Sequence, residues 1–102
     1  MSRPIKLIIS YDMKPGREEA CHQYMVQELG ATLSAFGFQF TDAWYTAWGN
    51  GPQIMGCGLL EDIEVARELL QSELWKEAME GLRPLVNDFS VRLVEPAGTF
   101  QI

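Results

Sequence analysis

Between residues 5 and 11 the chain is nearly continuous in β-formers: Ile5, Leu7, Ile8, Ile9 and Tyr11. A run that is apolar on both faces predicts a central strand, covered above and below. Lys14-Pro15-Gly16 breaks that strand. Arg17-Glu18-Glu19 then opens a helix, with two carboxylates in the first turn where the helix dipole favours them. Cys21, Met25, Leu29 and Leu33, flanked by Ala20 and Tyr24, form its apolar stripe. The helix should fade near Ala35, with Gly37 just beyond.

Residues 38–48 read as a second strand. Phe38, Phe40, Asp42, Trp44, Thr46 and Trp48 alternate with Gln39, Thr41, Ala43, Tyr45 and Ala47, so one face is strongly aromatic. Gly49-Asn50-Gly51-Pro52 is a turn signal that returns the chain as a hairpin. The third strand, 53–60, places Gly56 and Gly58 on one face and Met55, Cys57 and Leu59 on the other. Paired glycines there predict close approach by a backbone, a helix or a ligand. Asp62 caps a helix carrying Val65, Ala66, Leu69 and Leu70, and Ser72 caps a second with Leu74, Trp75, Met79 and Leu82. Gly81 and Pro84 weaken its end. Residues 89–94 form the last strand, Val91 and Leu93 on one face, Ser90, Arg92 and Val94 on the other. Phe100 and Ile102 close the tail and are expected to anchor it on apolar surface.

The order strand, helix, hairpin, helix pair, strand defines an α+β, ferredoxin-like βαββαβ domain spanning 1–102. Right-handed crossovers put the first and third strands at the centre of a four-stranded antiparallel sheet and the second and fourth at its edges. Helices then cover one sheet face only. The apolar residues on the other face predict an association surface, and hence a homodimer.

Composition narrows the partners. With 14 acids against 8 bases the net charge is −6, and the basic residues are scattered singly. A nucleic-acid platform needs clustered Lys and Arg, so none is expected. No apolar stretch approaches the roughly 20 residues of a membrane span. The N-terminus lacks the apolar core of a signal peptide, and two cysteines without metal or redox spacing fit a reduced cytoplasmic setting.

The chain resembles the dimeric α+β barrel superfamily, in particular its NIPSNAP-like and antibiotic-biosynthesis-monooxygenase-like members. The matching features are Ile8-Ile9-Ser10-Tyr11 running into Lys14-Pro15-Gly16-Arg17-Glu18-Glu19, the Trp/Tyr-rich second strand, and the helix pair around Ser72-Glu73-Leu74-Trp75. Leu82-Arg83-Pro84-Leu85-Val86, followed by Asp88-Phe89-Ser90, also matches. The resemblance implies two sheets closing into one barrel, with small-molecule pockets between sheet and helices. Activities in the superfamily run from cofactor-independent oxygenation of aromatic polyketides to haem degradation, isomerisation and ligand sensing, so the fold does not select among them.

Candidate chemistry is sparse. Tyr11, Tyr24, Trp44, Trp48 and Trp75 could line a cavity for a planar apolar ligand, with Gly56 and Gly58 leaving room beneath the helices and Arg92 at the far edge. The bland alternative makes the aromatics core or dimer contacts and the glycines sites of close packing. His22, the one histidine, lies one residue off the apolar stripe and reads first as a solvent-facing side chain, second as a base. Asp42, placed on the aromatic side of the second strand, needs a partner if buried, and Arg92 on the opposite edge is the candidate. Haem-degrading relatives combine an Asn, a Trp and a His; the first strand here has no Asn, and His22 sits on the first helix. No cofactor and no metal are expected. The leading reading is a small-molecule-binding dimer. The alternatives are a cofactor-independent monooxygenase or isomerase of an aromatic substrate, with Asp42, Tyr11 or His22 as base, and a purely structural or protein-interaction dimer.

Overall fold

A computed structural model describes residues 3–95. Strand β1 (Ile5–Met13) leads into a helical rod of three segments: α1 (Glu18–Tyr24), a π-helical turn (Met25–Leu29) and α2 (Gly30–Ala35). The hairpin β2 (Gln39–Tyr45) and β3 (Ile54–Leu60) follows, then α3 (Ile63–Gln71), α4 (Glu73–Leu82), a 3-10 turn and β4 (Val86–Val94). The sheet order is β2-β3-β1-β4, with every neighbouring pair antiparallel. This is the ferredoxin-like arrangement that the order of elements predicts, with β1 and β3 central. The expected anchoring of Phe100 and Ile102 lies outside the described residues.

Local rules account for the boundaries. The rod ends in a Schellman motif: Gly37 sits at φ +80°, its N–H donates to the Ser34 carbonyl, and the Phe38 N–H donates to that of Leu33. Asp62 caps α3 by accepting from the Val65 N–H at 3.0 Å, and Ser72 caps α4 by accepting from Trp75 at 3.1 Å. Ile5, Leu7, Ile9 and Tyr11 alternate into the core, where Cys21, Leu29 and Leu33 of the rod and Ala66, Leu69, Ala78 and Leu82 of the helix pair meet them. All the helices therefore pack on one face. On the other face the central strands present Lys6, Ile8 and Ser10, with Met55 and Leu59 beside them, all half-buried. No helix among the described residues is long and apolar enough to cross a membrane.

Two bulges change the pattern read from the sequence. In β2, Phe40 pairs with Gly58 but Asp42 pairs with Cys57, so Thr41 is the extra residue. Up to Phe40 the side chains follow the expected alternation; beyond it they swap faces. Ala43 and Tyr45 join Phe40 on the helix side, and Asp42 and Trp44 turn to the other. Asp42 is thus not on the aromatic helix side of the strand, as strict alternation requires, but exposed beside Cys57. In β4 the register shifts around Asp88, whose left-handed φ of +52° accommodates the extra residue.

Candidate functional site

The rod and the β2–β3 hairpin do not close on each other. Between them lies a cavity of about 680 Å³. One wall is helical, built by His22, Met25, Val26, Leu29 and Leu33; the opposite wall is sheet, built by Ile9, Tyr11, Phe38, Phe40, Tyr45 and Gly56. The π-helical turn forms part of the first wall. Its wide ring, closed by the Gly30 N–H on the Met25 carbonyl, carries Met25, Val26 and Leu29 toward the cavity.

Gly56 contributes space. Its nearest neighbours to a built Cβ, the Asp42 carbonyl oxygen and the Phe40 ring, stand at 3.9 Å. Gly58 has the opposite role: a Cβ there would overlap the Phe38 ring and the Gln39 carbonyl. It leaves room for the Phe38 ring against the sheet, so this glycine is close packing and lies outside the cavity lining.

Polar groups at the cavity are few. Among the described residues no Asp, Glu, Lys or Arg side chain lines it. Tyr11 is buried, its ring stacked against Phe89 with centroids 6.4 Å apart, and its hydroxyl has no hydrogen-bond partner among the described residues. Burial pushes the Tyr11 phenol up to about 12, the nearby Cys21 thiol adding to the shift. Burial also raises Cys21 itself. Tyr45, more than half exposed, is held at the hairpin by Gln53, whose Nε2 donates to its hydroxyl at 3.0 Å. The same Gln53 accepts from the Met13 N–H through Oε1 at 2.7 Å, while its own N–H donates to Asp12 Oδ1 at 2.7 Å. One side chain thereby ties the end of β1 to the hairpin and fixes the cavity's edge.

Of the residues singled out from the sequence, Tyr11, His22 and Gly56 come together at this cavity, and Trp44 borders it from a strand position whose side chain turns to the helix-free face. The others lie apart. Tyr24 points away to α4, where its hydroxyl donates to the Ala78 carbonyl at 2.8 Å. Trp75 is buried in the core against Phe89, Trp48 is 94% exposed beyond the end of β2, and Arg92 is exposed on β4. Asp42 faces the opposite side of the sheet. Phe40, Tyr45, Met25 and Leu29 read in the sequence as strand or stripe residues and not as site residues, and Val26 and Gln53 carry no signal there. The signal for the rod was present: apolar residues exactly four apart from Cys21 to Leu33 exceed the 3.6-residue period and call for a wider turn. Cys21 and Cys57 are both free thiols, and among the described residues no group of His, Cys, Asp and Glu is placed to hold a metal.

No protein-family model and no curated protein sequence matches the chain. Solved structures do match, and they define the class: the chain has the fold of NIPSNAP-like domains. A NIPSNAP-like domain protein from Burkholderia xenovorans superposes with a TM-score of 0.67 at 20% identity, over 100% of this chain and 92% of its own. A NIPSNAP family protein from Agrobacterium tumefaciens gives 0.69 at 14% identity, over 98% and 91%. A protein of unknown function from Bacteroides thetaiotaomicron, described as a possible oxidoreductase, gives 0.70 at 12% identity, over 94% and 100%. At these identities the likeness is one of fold.

Proposed function

We propose that this protein binds a small, largely apolar molecule between the helical rod and the β2–β3 hairpin. The carrying observation is the cavity itself: about 680 Å³ of space walled by Met25, Leu29, Leu33, Phe38 and Phe40. Its volume lies within the range of small-molecule sites, which are mostly apolar with a few placed polar groups. Thermal-shift screening with naphthalene-sized aromatic compounds tests the reading. Binding should raise the melting temperature of the native chain, and Leu33→Trp, which fills the cavity from the rod, should abolish the effect. A melting temperature unmoved by every compound at its solubility limit would refute the proposal.

The unit that binds is, in this reading, a homodimer paired through the helix-free sheet face. Support comes from the sheet register. Asp42, Cys57, Ile8 and Arg92 are successive partners in one transverse row, with an acid at one edge and a base at the other. A two-fold axis along the strands lays β2 over the partner's β4, so that Asp42 faces the partner's Arg92 and the reverse. A cytoplasmic setting belongs to the same reading, supported by the two free thiols.

One observation favours a catalytic variant, oxygenation or isomerisation of an aromatic substrate: His22, the chain's one imidazole, lines this cavity. In that variant Tyr11, held protonated, is a donor rather than a base.

A further inference from the structure

Among the described residues Tyr11 is the one side chain at the cavity that joins burial to an uncommitted hydrogen-bonding group. The Tyr45 hydroxyl is engaged by Gln53, and the imidazole of His22 belongs to an exposed residue. The Tyr11 ring is fixed by its stacking on Phe89, which in turn packs against Trp75, so the direction of its hydroxyl is set by the core. Among the described residues no fully enclosed side-chain polar atom lacks a partner. The unpartnered Tyr11 oxygen is therefore open to space, and the space its side chain lines is the cavity.

The rest of the lining decides what that hydroxyl can recognise. Among the described residues no Lys or Arg stands on the walls and the one imidazole, His22, belongs to a solvent-exposed residue, so an anionic head group would lose its hydration for little counter-charge; with no Asp or Glu there, a cation fares no better. The phenol is protonated throughout the physiological range, because burial disfavours the phenolate. It offers a hydrogen to an acceptor and no negative charge. The apolar walls select a flat or extended hydrocarbon body.

We propose that Tyr11 is the polar anchor of this cavity, donating its phenolic hydrogen to the carbonyl oxygen of an uncharged aromatic ligand. The proposal rests on the cavity being a binding site, and it adds the chemical class of the occupant and the residue that reads it.

The test uses three probes of one shape: acetylnaphthalene, isopropylnaphthalene, which lacks the oxygen, and naphthoate, which carries a charge. Affinities are measured by calorimetry on the native chain and on Tyr11→Phe, which keeps the stacked ring. Acetylnaphthalene should bind the native chain most tightly. Tyr11→Phe should weaken it by about 3- to 10-fold, the worth of one neutral hydrogen bond, and leave isopropylnaphthalene unchanged. The carbonyl infrared band of bound acetylnaphthalene should lie at lower frequency in the native complex than in the variant. Equal loss for ketone and hydrocarbon, or naphthoate as the tightest ligand, would overturn the Tyr11 assignment while leaving the cavity a binding site. If none of the three binds, both readings fall. Should Tyr11→Phe not fold, the ranking of the three probes on the native chain decides alone.

Discussion

Tyr24 stands directly over Gly81. Its hydroxyl reaches past the glycine to the Ala78 carbonyl at 2.8 Å, and a Cβ at position 81 would overlap both the hydroxyl and the ring. This contact seats the first helix on α4. In an ordinary helix interior Gly→Ala stabilises by about 1 kcal/mol. Here overpacking, typically about 1–3 kcal/mol, outweighs that gain. Gly81→Ala should therefore destabilise the fold by on the order of 1 kcal/mol in urea unfolding. In a Tyr24→Leu background the same substitution should turn neutral or stabilising, because the obstructing hydroxyl is gone.

The two strand glycines should separate in the same way. Gly58→Ala meets the Gln39 backbone carbonyl, which cannot rotate aside, and should cost about 1–3 kcal/mol. Gly56→Ala finds its nearest atoms at 3.9 Å and should change stability by no more than about 0.5 kcal/mol. Its methyl group points into the cavity, so ligand affinity is where that substitution should register. Denaturant curves beside binding isotherms for the pair check both halves.

Gln53 makes a third case. Gln53→Leu leaves the half-buried Met13 N–H without its acceptor and frees Tyr45, and should cost about 1–3 kcal/mol. Gln53→Glu keeps the acceptor for Met13, and the Tyr45 hydroxyl can rotate to donate to the new carboxylate. Its melting temperature should lie close to that of the native chain.

Much of this architecture is legible in the sequence, and the reason is local chemistry. Asp62, Ser72 and Gly37 act at the positions where capping rules place them, and the alternation of Ile5, Leu7, Ile9 and Tyr11 needs no tertiary information. The bulge at Thr41 is different. Phe40, Trp44 and Tyr45 are large and aromatic on either alternation, so hydrophobic patterning is indifferent to which of them faces the helices. That indifference misplaced Asp42. The cavity was legible only in part for a related reason: residues such as Phe38 and Leu33 look the same to patterning whether they meet another side chain or an open space.

Tyr11 makes stability depend on pH on the alkaline side. Its phenol ionises near 10.0 when unfolded and near 12 when folded, so the native state holds the proton longer. The stabilisation is complete below pH 10 and is lost as pH rises toward 12. Tyr24 and Cys21, both raised by burial, act in the same direction. Near-ultraviolet absorbance should show a tyrosine ionising late or only with unfolding, and that latest step should be missing from Tyr11→Phe. If Tyr11→Phe instead removes a step near pH 10, Tyr11 is solvated in the native chain.

The row Asp42–Cys57–Ile8–Arg92 yields the prediction with the widest reach. Within one chain its two charged ends are three strand spacings apart, about 14 Å, too far to pair with each other. Among the described residues the one salt bridge is Arg67–Glu64, on α3 at 3.4 Å. Asp42 and Arg92 are thus available for reciprocal pairing when two sheets stack about an axis parallel to the strands, and each pair recurs twice per dimer. Exposed pairs contribute little individually, roughly 0–1 kcal/mol, whereas like charges brought together at an interface repel more strongly. Arg92→Glu and Asp42→Arg should each raise the dimer dissociation constant by about ten-fold or more in sedimentation experiments. Combining them reverses both ends of the row and should restore association to near the native level. Single reversals without effect would place the two-fold axis elsewhere. A native chain that sediments only as the 11.5 kDa species would remove the dimer altogether.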